Sequence, residues 1–158
     1  NCPALLRLNL PESLVNLENI EIIGNSLSDL TPLSDLRNLQ SLSFQFSGNV
    51  QSIYERFPSF SSSHKIKSET LKKISFSDFY YYNSEDTLDF SFLEPFSDLI
   101  GLETLEIRDL WIIDSEPSLI EYLSGFLSLK ELKVADSETK SNLEAIFPNL
   151  TISAFTRR

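Results

Sequence analysis

With 158 residues, of which 41% are hydrophobic and 23% charged, the chain is long enough for one domain with a core of its own. Thirteen basic against 23 acidic residues give a net charge of −10, which argues against a nucleic-acid groove and against attraction to an anionic membrane surface. The lone cysteine, Cys2, excludes an internal disulfide and favours a reducing (cytoplasmic or nuclear) compartment while leaving an extracellular one open, and no apolar run approaches the roughly 20 residues of a membrane span.

The first predicted element is a short strand at LLRLNL, residues 5–10. The next stretch, LENIEIIGNSLSDLTPLSDLRN, places aliphatic residues at 17, 20, 22, 27, 30, 33 and 36. Neither an amphipathic helix nor a plain strand produces that series. LENIEI reads as a strand. Leu27, Leu30, Leu33 and Leu36 read as an extended or 3₁₀-like return path, in which side chains three apart eclipse one another. The six-residue strand unit then recurs as LQSLSF at 39–44, LKKISF at 71–76, LETLEI at 102–107, LKELKV at 129–134 and FPNLTI at 147–152. Successive units start 12, 22, 32, 31, 27 and 18 residues apart, so the array is irregular.

Between the later strands, Ser-x-x-Glu occurs at 52–55, 91–94, 118–121 and 141–144, each before a short amphipathic stretch. That spacing is a capping box, which predicts four helix starts, with Pro58 and Pro148 ending two of the helices. SSSHKIKSET at 61–70 reads as a polar surface insertion.

The recurring LxxIxI unit, followed by Asn25 in its second occurrence, resembles the leucine-rich repeat family over essentially the whole chain. The resemblance implies an α/β solenoid forming a single domain over 1–158, with about seven short parallel strands on the concave face and 3₁₀ or helical segments on the convex face. Asn25 stands where the family places an asparagine ladder. DLTPLSDLRNLQSL is similar to the short repeats of internalins, and CPALLRLNL to the cysteine-containing repeats of F-box substrate receptors. The helical units look like those of the ribonuclease-inhibitor type. No polar cap is visible at 1–10, and the chain begins NCPALL without methionine, so further repeats or a capping domain are expected upstream.

In each unit the fourth and sixth residues should point inward, leaving the alternate ones on the concave face. That face would carry Arg7, Asn9, Asn19, Glu21, Ile23, Ser41, Ser43, Gln45, Lys73, Ser75, Ser77, Thr104, Glu106, Arg108, Glu131, Lys133, Asn149, Thr151 and Ser153. A second candidate surface is FYYYN at 79–83. Four consecutive aromatics cannot all face one core, so Tyr80, Tyr81 and Tyr82 are candidate partner contacts, with Trp111 in the matching place of the next unit.

No convergent catalytic set is present. His64, the one histidine, lies in the insertion, and Cys2 has no third group to orient such a pair. The acidic clusters at 84–89, 114–118 and 136–141 lack the glycine and oxygen spacing of a calcium loop and suit helix starts instead. Neither a metal nor a cofactor is expected. Asn149-Leu150-Thr151 is a glycosylation triplet, but it falls inside a predicted strand. The resemblance therefore implies a non-catalytic protein–protein interaction module, of which an F-box-like substrate or partner receptor is the first form. The alternative is an extracellular or cell-surface leucine-rich domain, an adhesin or receptor ectodomain, suggested by the internalin-like unit and the acidity.

Overall fold

The computed structural model describes residues 14–23, 30–45, 65–77, 90–108 and 117–155. Strands β1 (Asn19–Ile23), β2 (Ser41–Gln45), β3 (Lys73–Ser77), β4 (Thr104–Ile107), β5 (Glu131–Val134) and β6 (Thr151–Ala154) form one all-parallel sheet in chain order. Among the described residues, two helices, α1 (Pro117–Gly125) and α2 (Ser137–Ile146), and the 3₁₀ segments Thr31–Asp35 and Phe90–Phe96 accompany the sheet in an α/β architecture. The strand expected at 5–10, and with it Arg7 and Asn9, lies outside the described residues, as does Asn25.

Alternation along each strand builds the core. Ile20, Leu42, Ile74, Leu105, Leu132 and Ile152 are register partners and form one inward row. Ile22, Phe44, Phe76 and Ile107 form a second. Neighbouring units are stitched by a repeated device in which one carbonyl accepts two backbone N–H groups. Glu18 accepts from Gln40 and Ser41, Gln40 from Lys72 and Lys73, Lys72 from Glu103 and Thr104, and Glu103 from Lys130 and Glu131, all within 2.7–3.1 Å. A second repeated device closes the turn before five of the six strands, while before β3 the Leu71 N–H bonds Ser68 Oγ at 3.1 Å instead. The N–H groups of Leu17, Leu39, Leu102, Leu129 and Leu150 bond the carbonyls of Leu14, Leu36, Leu99, Phe126 and Phe147 at 3.0–3.2 Å.

The three-residue leucine steps form 3₁₀ structure as the sequence predicts. Leu33 N–H bonds Leu30 C=O at 2.9 Å and Leu36 N–H bonds Leu33 C=O at 3.2 Å, and all three leucines are buried. Between β2, β3 and the segment 90–96 the filling is aromatic. Phe44 stacks on Phe76 at 5.3 Å, Phe92 meets Phe76 edge-on at 5.2 Å, and Phe96 is edge-on to both at 5.9 Å. Such pairs contribute about 0.5–1.5 kcal/mol each beyond the area they bury.

Four expectations need correction. First, the last unit is displaced by two residues. Leu132 pairs with Ile152, not with Leu150, because Leu150 closes the turn onto Phe147 and the strand begins only at Thr151. Second, two of the capping boxes among the described residues, at 91–94 and 141–144, do not open a helix, while that at 118–121 falls in the first turn of α1. Ser91 lies inside a 3₁₀ segment that contains Pro95, a residue with no N–H to continue an α-helix. Ser118 follows Pro117, which suits the first helical position. Ser141 is mid-helix and donates to Ser137 C=O at 2.9 Å.

The cap of α2 is Asp136, extended at φ −144°, whose side chain accepts the N–H groups of Glu138 and Thr139 at 2.8 and 2.9 Å. Pro148 follows the end of α2 as expected, while the box at 52–55 and Pro58 lie outside the described residues.

Third, residues 65–70 are not a free surface loop. Ile66 is fully buried, its N–H bonds Pro95 C=O at 2.8 Å, and Thr70 Oγ1 donates to Leu39 C=O at 2.9 Å. Lys67 N–H reaches Ser34 Oγ at 3.0 Å, so this stretch bridges the two 3₁₀ segments. Fourth, Asn149 lies in the exposed turn before β6, outside the strand. No described helix is long and apolar enough to cross a membrane.

Candidate functional site

The strand face turned away from the core carries two straight rows. One runs Asn19, Ser41, Lys73, Thr104, Glu131 and Thr151. The other runs Glu21, Ser43, Ser75, Glu106, Lys133 and Ser153. Parallel pairing in strict register is what aligns them, since a slip of one residue would turn every side chain to the other face.

Glu106 lies at the centre of a charge cluster and is only 1% exposed. Its Oε1 receives Lys73 Nζ from β3 and Lys133 Nζ from β5, both at 2.8 Å, and its Oε2 receives Arg108 at 3.2 Å. Glu131 approaches Lys133 at 3.6 Å. Burial alone would raise the Glu106 pKa, but hydrogen bonds from Lys133, Lys73 and Arg108 outweigh it and bring the value down to about 2. The hydrogen bond to Glu106 in turn raises the Lys133 pKa.

Arg108 follows β4, where its N–H bonds Phe76 C=O at 2.8 Å. Its guanidinium carbon sits 4.5 Å from the ring centre of Phe155, just beyond β6, a cation–π contact that fixes the plane of the fork. Beside the cluster the face is low and hydroxyl-lined, with Ser75 Oγ and Ser43 Oγ 2.9 Å apart. A second, more exposed ladder runs along the edge where the strands begin. Lys130 and Lys72 lie 2.7 and 3.4 Å from Glu103, whose pKa is lowered chiefly by the Lys130 hydrogen bond.

Among the sequence-predicted contacts, Lys73, Glu106, Arg108, Glu131 and Lys133 converge here, and Ser75 and Ser77 flank them on β3. Tyr80, Tyr81, Tyr82 and Trp111 lie outside the described residues, as do Cys2 and His64. Sequence reasoning missed Phe155 as the seat of Arg108. The available signal was position, because both residues directly follow strands and Ala135, between them in chain order, is small.

Among the described residues no three His, Cys, Asp or Glu side chains gather as a metal site would require. A recess of about 300 Å³ opens elsewhere, near the ends of both helices, lined by Leu123, Phe126, Leu129, Ile146, Phe147 and Leu150 among others.

The chain is thus an α/β protein in which the six parallel strands among the described residues present one polar, ion-paired face. No protein-family model, curated protein or solved structure matches it.

Proposed function

We propose that the chain is an irregular leucine-rich repeat solenoid acting as a non-catalytic protein-recognition module, with the outward strand face as its contact surface. The observation that carries this reading is the repeated geometry of the sheet, with the same bifurcated carbonyl at four of the five strand junctions and the same closing turn before five of the six strands. Such a face is rigid and ordered before a partner arrives, so association loses little conformational freedom. An F-box-like receptor or adaptor is the form that the repeat style favours.

An extracellular or cell-surface repeat domain is the second reading. The observation in its favour is the exposed Asn149 of Asn149-Leu150-Thr151, in a turn outside the strands.

The test is site-specific photocrosslinking in cells. A benzophenone side chain placed at Ser43 or Thr104, on the face, should capture one discrete protein. The same group at Asp35 or Glu121, off the strands, should not. Equal capture from both sets, or capture of nothing, would remove the strand face as the recognition surface. Secretion of the chain through a eukaryotic pathway, with Asn149→Gln as control, distinguishes the second reading by a glycan-sized mass shift.

A further inference from the structure

We propose that Lys73, Arg108 and Lys133 form a receptor for the carboxylates of an acidic, extended peptide segment of another protein. This rests on the recognition reading above and names the chemistry of the partner. Among the described residues three cations face two anions, Glu106 and Glu131, so this cluster keeps one positive charge on a chain of net charge −10. The field of the remaining acidic surface is screened beyond the Debye length, about 8 Å at physiological salt, so an approaching carboxylate responds chiefly to the cluster.

Donor valence points the same way. An ammonium carries three N–H donors and a guanidinium five. The two Glu106 oxygens engage one nitrogen of each cation, and the Lys73, Arg108 and Lys133 side chains remain 40%, 48% and 30% exposed. Among the described residues, Glu106 and, for Lys133, Glu131 are the acidic partners of these cations, so further donors are held near the surface. Glu106 and Phe155 hold these groups in place beforehand, which lowers the ordering entropy that flexible surface lysines would lose on binding. The low serine-lined floor at Ser43 and Ser75 gives a peptide side chain room to lie beside them.

A nucleic-acid backbone fits poorly, since it draws its affinity from many phosphate contacts and this cluster has a single excess charge. A basic peptide would meet like charge at the centre of the face.

Fluorescence anisotropy on the whole chain tests the proposal with labelled peptides of alternating Glu-Ser, Gln-Ser and Lys-Ser. The Glu-Ser peptide should bind, lose about tenfold in affinity with Arg108→Gln or Lys73→Gln, and weaken as salt rises. Arg108→Lys, which keeps the charge but loses the fork, should fall between, and circular dichroism of each variant controls for folding. The proposal is overturned if Glu-Ser does not bind, if its binding ignores these substitutions in folded variants, or if a single-stranded oligonucleotide of equal charge binds as tightly. Should face-directed crosslinking succeed while no acidic peptide is held, only this inference falls. If both fail, the recognition reading falls with it.

Discussion

Lys133 Nζ lies 2.8 Å from Oε1 of Glu106, a carboxylate 1% exposed, and this pair ties β5 to β4 on the face away from the core. Desolvating a carboxylate costs several kcal/mol unless its lone pairs are engaged, and here both oxygens carry cationic partners. The same arrangement holds three strands in register by charge on one face while Leu105 and its partners hold them by burial on the other.

The pH response follows from the sign of the shift. The folded-state pKa of Glu106, about 2, lies below its ordinary value of 4.5. Its contribution is therefore complete above about pH 4.5 and is lost as pH falls through 2, on the order of 3 kcal/mol in all. Glu106→Gln should be less stable than the parent at neutral pH, and the gap should close as acid is added. Urea unfolding of both proteins between about pH 6 and pH 2 checks this. A gap that stays constant with pH would mean that Glu106 acts by packing alone.

Asp136, not Ser141, is the start signal of α2, because its carboxylate takes two N–H groups that have no partner within the helix. Asp136→Ala should cost about 1 kcal/mol, with loss of helical circular dichroism on melting. Ser141→Ala should fall within about 0.5 kcal/mol of the parent, since its hydroxyl bonds a carbonyl already inside the helix. The reverse order would restore the capping box at 141–144.

Ile66 distinguishes a structural bridge from a surface insertion. It is fully buried, and Ile66→Ala should cost about 2–5 kcal/mol in chemical unfolding. Lys67, its exposed neighbour, should tolerate alanine within about 0.5 kcal/mol, because its backbone N–H makes the bond to Ser34 and the substitution leaves that bond intact. Equal, small effects at both positions would place the stretch outside the core.

The strands from β1 to β5 were legible in the sequence because an inward pair spaced by two residues cannot be mistaken once it recurs. Leu42 with Phe44 and Ile74 with Phe76 lie where the pattern puts them. The box at 118–121 marked the start of α1, but those at 91–94 and 141–144 misled, because Ser-x-x-Glu is a local signal and tertiary packing chose otherwise. Pro95 prevented an α-helix after Ser91, and Asp136 offered a doubly bonded cap five residues before Ser141. The face residues could be named from parity alone. Their convergence on Glu106 could not, since three cations from two strands and the residue after β4 meet one carboxylate only when the register of three strands is known. Ile66 was hidden by its setting, one apolar residue among serines and lysines.

The final unit gives the sharpest test of register. Reading FPNLTI as a full strand unit makes Leu150 and Ile152 equal inward partners of the sheet. The observed pairing puts Ile152 opposite Leu132 and Ala154 opposite Val134, and leaves Leu150 half-buried in the closing turn. Ile152 is 5% exposed and packs in the same row as four fully buried aliphatic residues, so Ile152→Ala should cost about 2–5 kcal/mol. Leu150→Ala removes a side chain that still contacts solvent and should cost distinctly less, about 1–2 kcal/mol. Ala154 adds a third probe. It is half-buried and faces inward beside the buried Val134, so Ala154→Asp would partly desolvate a charge and should be destabilising. Thermal unfolding of the three variants in one buffer decides the register. A larger loss at Leu150 than at Ile152 would move the last strand back by two residues, and with it the seat of Arg108 on Phe155.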